Sequence, residues 1–438
     1  MNLAEQVRLA GVVGAGGGGF PTHVKLAARA EIVIANGAEC EPLLHKDAVV
    51  MEEHAAQLVR GLQLAMAAVG AREAVIGVKA KKQHAVAALQ AAIRGTAVRL
   101  HLLGDYYPAG DEYDLVHAVT GKLIPPGGIP LNVGAVVNNV ETLINIAAAA
   151  EGRPVTHKTL TVSGAVARPC TIVVPVGTAL RDCIEAAGGF TTPDPVLCLG
   201  GLMMGETITD TSRPVTKTTT GVIVLPRSHP LIERKLKTPE QMARIGKSAC
   251  DQCRYCTEFC PRYLLGYAVE PHQVMRSLAF TATGTAHWNQ FASLCCSCGL
   301  CTLYACPEML YPKEACDTSK AEMRKTNQKW SGPLAVQPHP MLDGRRTPVP
   351  SLTRKLAVTE YDVETPYLAQ PLQPSRVVLP LRQGAGLAGQ PLVQVGDRVS
   401  AGQPLTAIPA GQLGAIIHAP FAATVAELGA TAVALART

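Results

Sequence analysis

Apolar residues in this chain recur with two different periods, and the changes of period divide it. Residues 31–36 (Glu-Ile-Val-Ile-Ala-Asn) form a short continuous apolar run, the pattern of a buried strand. Residues 51–69 place apolar side chains three and four apart, the pattern of an amphipathic helix. A strand pattern at 74–78, a helix pattern at 82–94 and a strand pattern at 98–103 follow. This alternation predicts an α/β domain on a mostly parallel sheet, residues 1–153. Leu3, Val7 and Ala10 at helical spacing add a short surface helix at the start. Short strand patterns then come at 160–163, 171–175, 196–199 and 222–226, with one helix pattern between the second and third. One helix on a small mixed sheet predicts a β-grasp-like module, residues 154–228. Residues 238–325 are dense in cysteine and are expected to be helical. Residues 326–375 are proline-rich, carry Arg345-Arg346, and read as an irregular tether. Residues 376–438 show short β runs with evenly spaced glycines and predict an all-β module. The expected fold class is multidomain α/β, in keeping with 438 residues, too many for one ordinary core.

Composition narrows the function classes. Hydrophobic residues make up 47% and aromatic residues only 4%, which disfavours a base-stacking nucleic-acid platform. The net charge of +6 is mild and scattered, without the basic runs of a nucleic-acid binder. No apolar stretch reaches the roughly 18 residues of a membrane span. The first nine residues include Glu5 and Arg8 and lack an apolar signal core, so a cytoplasmic protein is expected. In that setting 14 cysteines point to metal rather than to disulfides.

The cysteines supply the strongest chemical signal. Cys250, Cys253, Cys256 and Cys260-Pro261 follow C-x2-C-x2-C-x3-C-P, and Cys295, Cys298, Cys301 and Cys306-Pro307 repeat it with one extra residue before the last cysteine. Three cysteines two residues apart can wrap one corner of a [4Fe–4S] cluster, while the fourth is carried away by the proline. Zinc sites use paired ligands instead. In two-cluster ferredoxins the fourth cysteine of each run serves the other cluster. The expected sets are Cys250, Cys253, Cys256 and Cys306 for one cluster, and Cys295, Cys298, Cys301 and Cys260 for the other. Cys296 and Cys316 fall off the pattern, with Cys316 an alternative to Cys306. Cys170, Cys183 and Cys198 read as buried small hydrophobes, and Met203 and Met204 as core.

A glycine-rich loop, Gly14-Ala-Gly16-Gly17-Gly18-Gly19-Phe20-Pro21-Thr22, opens the α/β domain. Bare glycine backbone lets N–H groups approach an anion, a following helix adds its dipole, and Lys25 is the nearby cation. A helix rather than a strand is expected before the loop, unlike the usual Rossmann case. Further on come Asn36-Gly-Ala-Glu39-Cys40-Glu41-Pro42, Tyr107-Pro108-Ala-Gly110-Asp111-Glu112 and Asn138-Asn139-Val-Glu141-Thr142-Leu143. Acidic groups at strand ends can accept ribose hydroxyls or flavin N–H groups.

These four motifs, in this order, resemble the Rossmann-like FMN- and NADH-binding domain of the complex I flavoprotein subunit and of the RnfC component of Rnf complexes. The resemblance implies that Gly14, Gly16, Gly17, Gly19 and Phe20 lie along FMN and NADH. It implies that Lys25 sits near the flavin phosphate, that Asn36 contacts FMN, and that Asn138 and Asn139 surround its phosphate and ribityl chain. Glu41 would lie near the nicotinamide nucleotide, with Glu39 in the same motif and Glu112 as a second acidic contact. Ala38 stands where the complex I flavoprotein has an aspartate, which removes one flavin contact, and Gly18 stands where alanine is usual.

The β-grasp segment, with Gly200-Gly201-Leu202-Met203-Met204-Gly205, resembles the SLBB module. It offers no converging polar groups in sequence and reads as a spacer that places the clusters, with corrin binding as the second reading. Val395-Gly396-Asp397-Arg398 and His418-Ala419-Pro420 resemble the barrel-sandwich hybrid of lipoyl and biotinyl carriers. No lysine follows Lys355, so covalent carriage is excluded. In RnfC proteins the barrel-sandwich module precedes the glycine loop, and here it comes last. That order, with the Cys-Cys-Ser-Cys-Gly-Leu-Cys run, resembles the PduS-type cobalamin reductases of propanediol-utilisation microcompartments. The resemblance implies an NADH-dependent oxidoreductase passing electrons from FMN through two [4Fe–4S] clusters to a corrinoid. It also implies an adenosyltransferase and a shell protein as partners, inside a bacterial microcompartment. An RnfC-like electron-transfer protein relaying electrons to a partner is the alternative. No residue in the sequence identifies a corrinoid site.

Overall fold

The computed structural model describes residues 1–278 and 290–438. Residues 279–289, between the two cysteine runs, lie outside the described residues. The first domain is built on a four-stranded parallel sheet in the order Val98–Leu103, Glu73–Lys79, Ile32–Gly37, Ala135–Asn139. Its central strands, Ile32–Gly37 and Glu73–Lys79, carry apolar runs because both faces are covered. Helices Ala55–Val69 and Val140–Ala150 cover one face, and Gly61 permits their close approach, since a Cβ there would fall 1.8 Å from the Leu143 carbonyl oxygen. The other face packs against helix Glu112–Thr120 and also against Leu265, Tyr267 and Val269 of the cysteine-rich region. Tyr267 is fully buried and its hydroxyl donates to the Ile124 carbonyl at 2.7 Å. The cysteine-rich region therefore shares a core with the first domain.

One expected helix differs. The pattern at 51–69 comprises two helices, Lys46–Glu53 and Ala55–Val69, broken at His54. The apolar phase runs through the break, so the sequence could not show it. The His54 ring meets Tyr367 edge-on, a contact from 313 residues away. As expected, a helix (Leu3–Leu9) precedes the glycine loop. The helix after it, Thr22–Leu26, has only five residues, so it supplies little dipole.

The second module is a six-stranded mixed sheet crossed by helix Leu180–Ala186. Its edge strand, Tyr367–Leu368, comes from the segment read as a tether. That segment is more ordered than its prolines suggested. Thr347–Pro348 pairs with Tyr106–Tyr107, and helix Val349–Lys355 follows. Arg346 lies 4.0 Å over the Tyr106 ring and pairs with Asp114, while Arg345 pairs with Glu258 at 3.0 Å. The basic pair thus fastens the first domain to the cysteine-rich region.

The cysteine-rich region is helical among its described residues. The extra residue of its second run is absorbed by a π-turn at Cys301–Ala305, the usual way a helix accommodates one insertion. The C-terminal module pairs a four-stranded antiparallel sheet with the two-stranded sheet of Gln390–Pro391 and Thr406–Ala407. Its core (Leu379, Leu405, Ile417, Val425, Leu435) extends to Val176 of the β-grasp module.

Candidate functional site

The strands of a parallel sheet end together, and what their ends carry sets the chemistry. Here Asn36 is in register with Asn139 of the neighbouring strand, beside Asn138. Above these ends lies a cavity of about 790 Å³. All twelve residues expected around a flavin nucleotide line it: Gly14, Gly16, Gly17, Gly19, Phe20, Lys25, Asn36, Glu39, Glu41, Glu112, Asn138 and Asn139.

Their side chains are not equally available. Asn36 donates to the Gly110 carbonyl and accepts from the Ala38 amide. Asn139 caps helix Val140–Ala150 by accepting from the Glu141 amide, and donates to Asp47. Glu41 spends both carboxylate oxygens on the Met203 and Met204 amides, at 2.9 Å each. Its burial pushes its carboxyl upward, against the pull of those amides. Glu41 therefore couples the first domain to the glycine turn of the β-grasp module, where a Cβ on Gly201 would fall 2.5 Å from its carboxyl carbon. Lys25 donates to the Val137 carbonyl and stands 3.6 Å from Glu112.

Two features remain open to a ligand. Asn138 is 4% exposed, and its Nδ2 has no partner. Among the described residues, the Gly16, Gly17 and Gly18 amides donate to no other part of the chain. A Cβ at Gly17 or Gly18 would meet nothing within 4 Å. Successive free amides beside a lysine form a cradle for a phosphate, and a buried amide donor suits a carbonyl or hydroxyl oxygen. The cavity fits a flavin mononucleotide on these grounds.

Behind the loop is a charge network that the sequence did not reveal. Ala15 donates its amide to Thr142 Oγ1 at 2.9 Å, and its carbonyl accepts from Lys158 at 2.7 Å. Lys158 and Lys46 both pair with Glu141, and Lys46 also pairs with Asp47. Burial alone would raise the Glu141 carboxyl, but the two lysines hold it below the usual range. Burial lowers Lys158 to about 8. Glu39 accepts from the Asp47 amide, and burial beside Asp47 pushes its carboxyl up to about 7. The only sequence hint was charge at Lys46-Asp47 directly before an apolar run. The β-grasp module also lines the cavity, through Thr216, Thr218, Thr219, Thr220 and Arg213. This corrects the reading of that module as a spacer without converging polar groups. Met203 is buried as expected, whereas Met204 is exposed.

The cysteines fall into two groups. Cys250, Cys253, Cys256 and Cys306 line one small hollow. Burial and the neighbouring Cys306, Cys250 and Cys253 thiols push Cys256 up to about 12. The Cys260 thiol is raised by burial and by the nearby Cys295 and Cys296. Burial raises the Cys301 thiol, with Cys295, Cys256 and Cys260 as further causes. Cys306 thus lies with the first run and Cys260 with the second. Cys316 touches Cys295 instead of standing in for Cys306. Cys296 touches Cys298, and both line the large cavity. Among the described residues, no three of these side chains converge as they would on a single metal ion. The first group lines a hollow instead, as fits a multi-iron cluster, whose ligands stand farther apart.

The groups differ in position. Cys260, Cys298 and Cys301 are buried, and Cys298 forms part of the cavity wall. The Tyr107 hydroxyl, also at that wall, donates to the Cys298 carbonyl at 2.7 Å. Arg262 pairs with Asp111 at 2.7 Å and stacks 3.5 Å over the Tyr113 ring, binding the two regions together. In the other group Cys256 and Cys306 are buried as well, and Cys253 is exposed to solvent.

Comparison with known proteins finds four domain families along the chain. Residues 7–148 match the Nuo51 FMN-binding domain family, 159–207 the SLBB domain, 249–311 the 4Fe-4S dicluster domain, and 362–438 the RnfC barrel sandwich hybrid domain. A curated relative from Acetobacterium woodii, one component of a Na(+)-translocating ferredoxin:NAD(+) oxidoreductase complex, is 38% identical over 60% of this chain and 58% of its own. An NAD+-reducing [NiFe]-hydrogenase in its air-oxidized state shares the fold, with a TM-score of 0.50 at 23% identity over 82% of this chain and 66% of that one. Two proteins named cobalamin reductase PduS align over nearly the whole length. The one from Salmonella typhimurium is 44% identical over 99% of this chain and 96% of its own. The one from Citrobacter freundii is 42% identical over 97% and 94%. FMN and iron–sulfur clusters are the cofactors these domains carry, and the protein is an oxidoreductase. The chain belongs to the PduS cobalamin reductase family.

Proposed function

We propose that this chain is an NADH-dependent cobalamin reductase, delivering single electrons to the cobalt of a corrinoid and taking it from the cob(III)alamin or cob(II)alamin state to cob(I)alamin. Bound FMN supplies the exchange of a two-electron hydride for single electrons, and the two [4Fe–4S] clusters supply their transport. The chain's residues bind and orient. The Gly16–Gly18 amides and Lys25 hold the flavin phosphate, and Asn138 Nδ2 donates to a flavin oxygen. Asn36, Asn139 and Glu41 shape the cavity through the bonds they make within the protein. Cys260, Cys295, Cys298 and Cys301 hold an inner cluster, and Cys250, Cys253, Cys256 and Cys306 an outer one.

The observation that carries this reading is where two of the cysteines stand: Cys298 belongs to the cavity wall, and Cys253 reaches solvent. Such an arrangement would conduct electrons from a donor in the cavity to an acceptor at the surface. On the family resemblance we further infer a cytoplasmic setting inside a bacterial microcompartment, with an adenosyltransferase receiving the reduced corrinoid.

Anaerobic mixing of the purified chain with NADH and hydroxocobalamin tests the reading. NADH should bleach the flavin and accelerate corrinoid reduction. Flavin bleaching without any acceleration would reject the reductase and leave a second reading, an electron relay serving a protein partner. The Acetobacterium woodii relative favours that alternative, because it matches over 60% of this chain and belongs to a larger complex.

A further inference from the structure

We propose that the C-terminal barrel-sandwich module forms part of the nucleotide site, bracing the glycine-rich loop from behind, with Gln383, Gly384 and Ala385 as positioning residues. The proposal rests on the flavin-binding reading and adds a part of the chain that the reading does not use.

The loop needs a brace. Its central residues, Gly17 and Gly18, have no neighbour that a Cβ would reach, so nothing there limits their conformations. Glycine loses more freedom on ordering than any other residue, and three free amides make a cradle only if their directions are fixed. Thr142 and Lys158 fix the near side at Ala15. The far side is fixed by the C-terminal module. The Gly19 carbonyl accepts from the Ala385 amide at 2.9 Å. Gly19 and Gly384 touch backbone to backbone. A Cβ on Gly384 would fall 2.3 Å from the Gly19 oxygen, and one on Gly19 would fall 2.5 Å from the Gly384 Cα. No side chain fits between these segments.

A second tie runs through Lys217 of the β-grasp module, which is 2% exposed. Its amide donates to Gln383 Oε1 at 3.0 Å. Its Nζ donates to the carbonyls of Gly11 and Ile416, at 2.7 Å each. Gly11 precedes the loop and has φ +65°, and a Cβ there would fall 2.1 Å from the Ile416 oxygen. Both ends of the loop are therefore fastened to the same module. That module is itself held by the core it shares with Val176. Preorganising a binding loop improves affinity by removing its ordering cost from the binding step. A carrier-shaped module without a lysine to modify thereby acquires a task.

The test titrates FMN into flavin-depleted, iron-loaded full-length chains. Gly384→Ala should raise the FMN dissociation constant ~10-fold, the scale of one or two lost hydrogen bonds, with the iron-to-protein ratio unchanged. Gly411→Ala is the matched control. Gly411 lies in the same module at φ +75° with nothing within 4 Å, so its replacement adds similar backbone strain without touching the loop. It should bind FMN as the wild type does. Wild-type affinity in Gly384→Ala, or equal weakening in Gly411→Ala, would overturn the brace. If Gly384→Ala loses its iron through misfolding, Gln383→Ala decides in the same titration. Weaker FMN binding at unchanged iron supports the proposal, and unchanged binding overturns it. A wild-type chain that binds no FMN would instead sink the flavin reading itself.

Discussion

The two cysteine groups share almost the same spacing and differ in what surrounds them. Of the inner group, Cys298 lines the cavity, and Cys260, Cys295 and Cys298 pack in cores shared with the first domain. The outer group, Cys250, Cys253 and Cys256 with Cys306, packs in smaller clusters and opens to solvent at Cys253. Each group takes its fourth member from the other run. The spacing therefore specifies the kind of site, while the packing around it specifies its surroundings.

The largest effect should come from uncrossing the groups. Cys260→Ala belongs to the first run in sequence and to the inner group in space. It should remove about half the iron, the inner cluster's share, and abolish NADH-driven corrinoid reduction. Cys253→Ala should also lose about half the iron while leaving flavin reduction by NADH at the wild-type rate. Iron analysis with the anaerobic cluster spectrum after NADH separates the two: the inner cluster left in Cys253→Ala should be reduced, and the outer cluster left in Cys260→Ala should stay oxidised. Reduction of the remaining cluster in both variants would erase the distinction between inner and outer.

Next in size is the network beneath the cavity. Lys158→Met leaves Glu141 with one of its two lysines and frees the Ala15 carbonyl. Removing one partner of a buried ion pair costs about 3–5 kcal/mol. A urea melt should show this loss, and FMN affinity should fall with it. A smaller loss, about 1 kcal/mol, is expected from Tyr107→Phe, which deprives the buried Cys298 carbonyl of its donor. That variant should disturb the inner cluster's spectrum and spare the outer one.

The smallest effect concerns pH. The Glu39 carboxyl is raised from 4.5 to about 7 in the folded chain, by burial and by Asp47. The folded state then binds more protons than the unfolded state between those values. Glu39 therefore contributes stability below about pH 4.5 that is lost as pH rises toward 7. Melting temperatures compared across this window should decline less in Glu39→Gln than in the wild type.

Much of the architecture was legible because it follows from period and spacing. The parallel strands around Ile34 and Val75 are covered on both faces, so their apolar runs identified them directly. The residues around the cavity came from ordered motifs, and all of them line it. Less visible was what depends on contacts between distant segments. The break at His54 is hidden because the apolar phase continues through it, and the Lys46–Glu141–Lys158 network joins three separate stretches. The prolines of residues 326–375 signalled irregular chain, yet Arg345 and Arg346 secure that chain by ion pairs and ring contacts. Glu41 carried a motif's signature, but its hydrogen bonds to Met203 and Met204 could be seen only with both modules in place.

In the proposed path electrons leave the cavity through the inner group and reach the surface through the outer one. Electron paramagnetic resonance of the Cys260→Ala and Cys253→Ala chains, each frozen after anaerobic addition of NADH, is the decisive measurement. The inner cluster should be reduced in Cys253→Ala, and the outer cluster should stay oxidised in Cys260→Ala. An outer cluster reduced by NADH at the wild-type rate in Cys260→Ala would rule the path out.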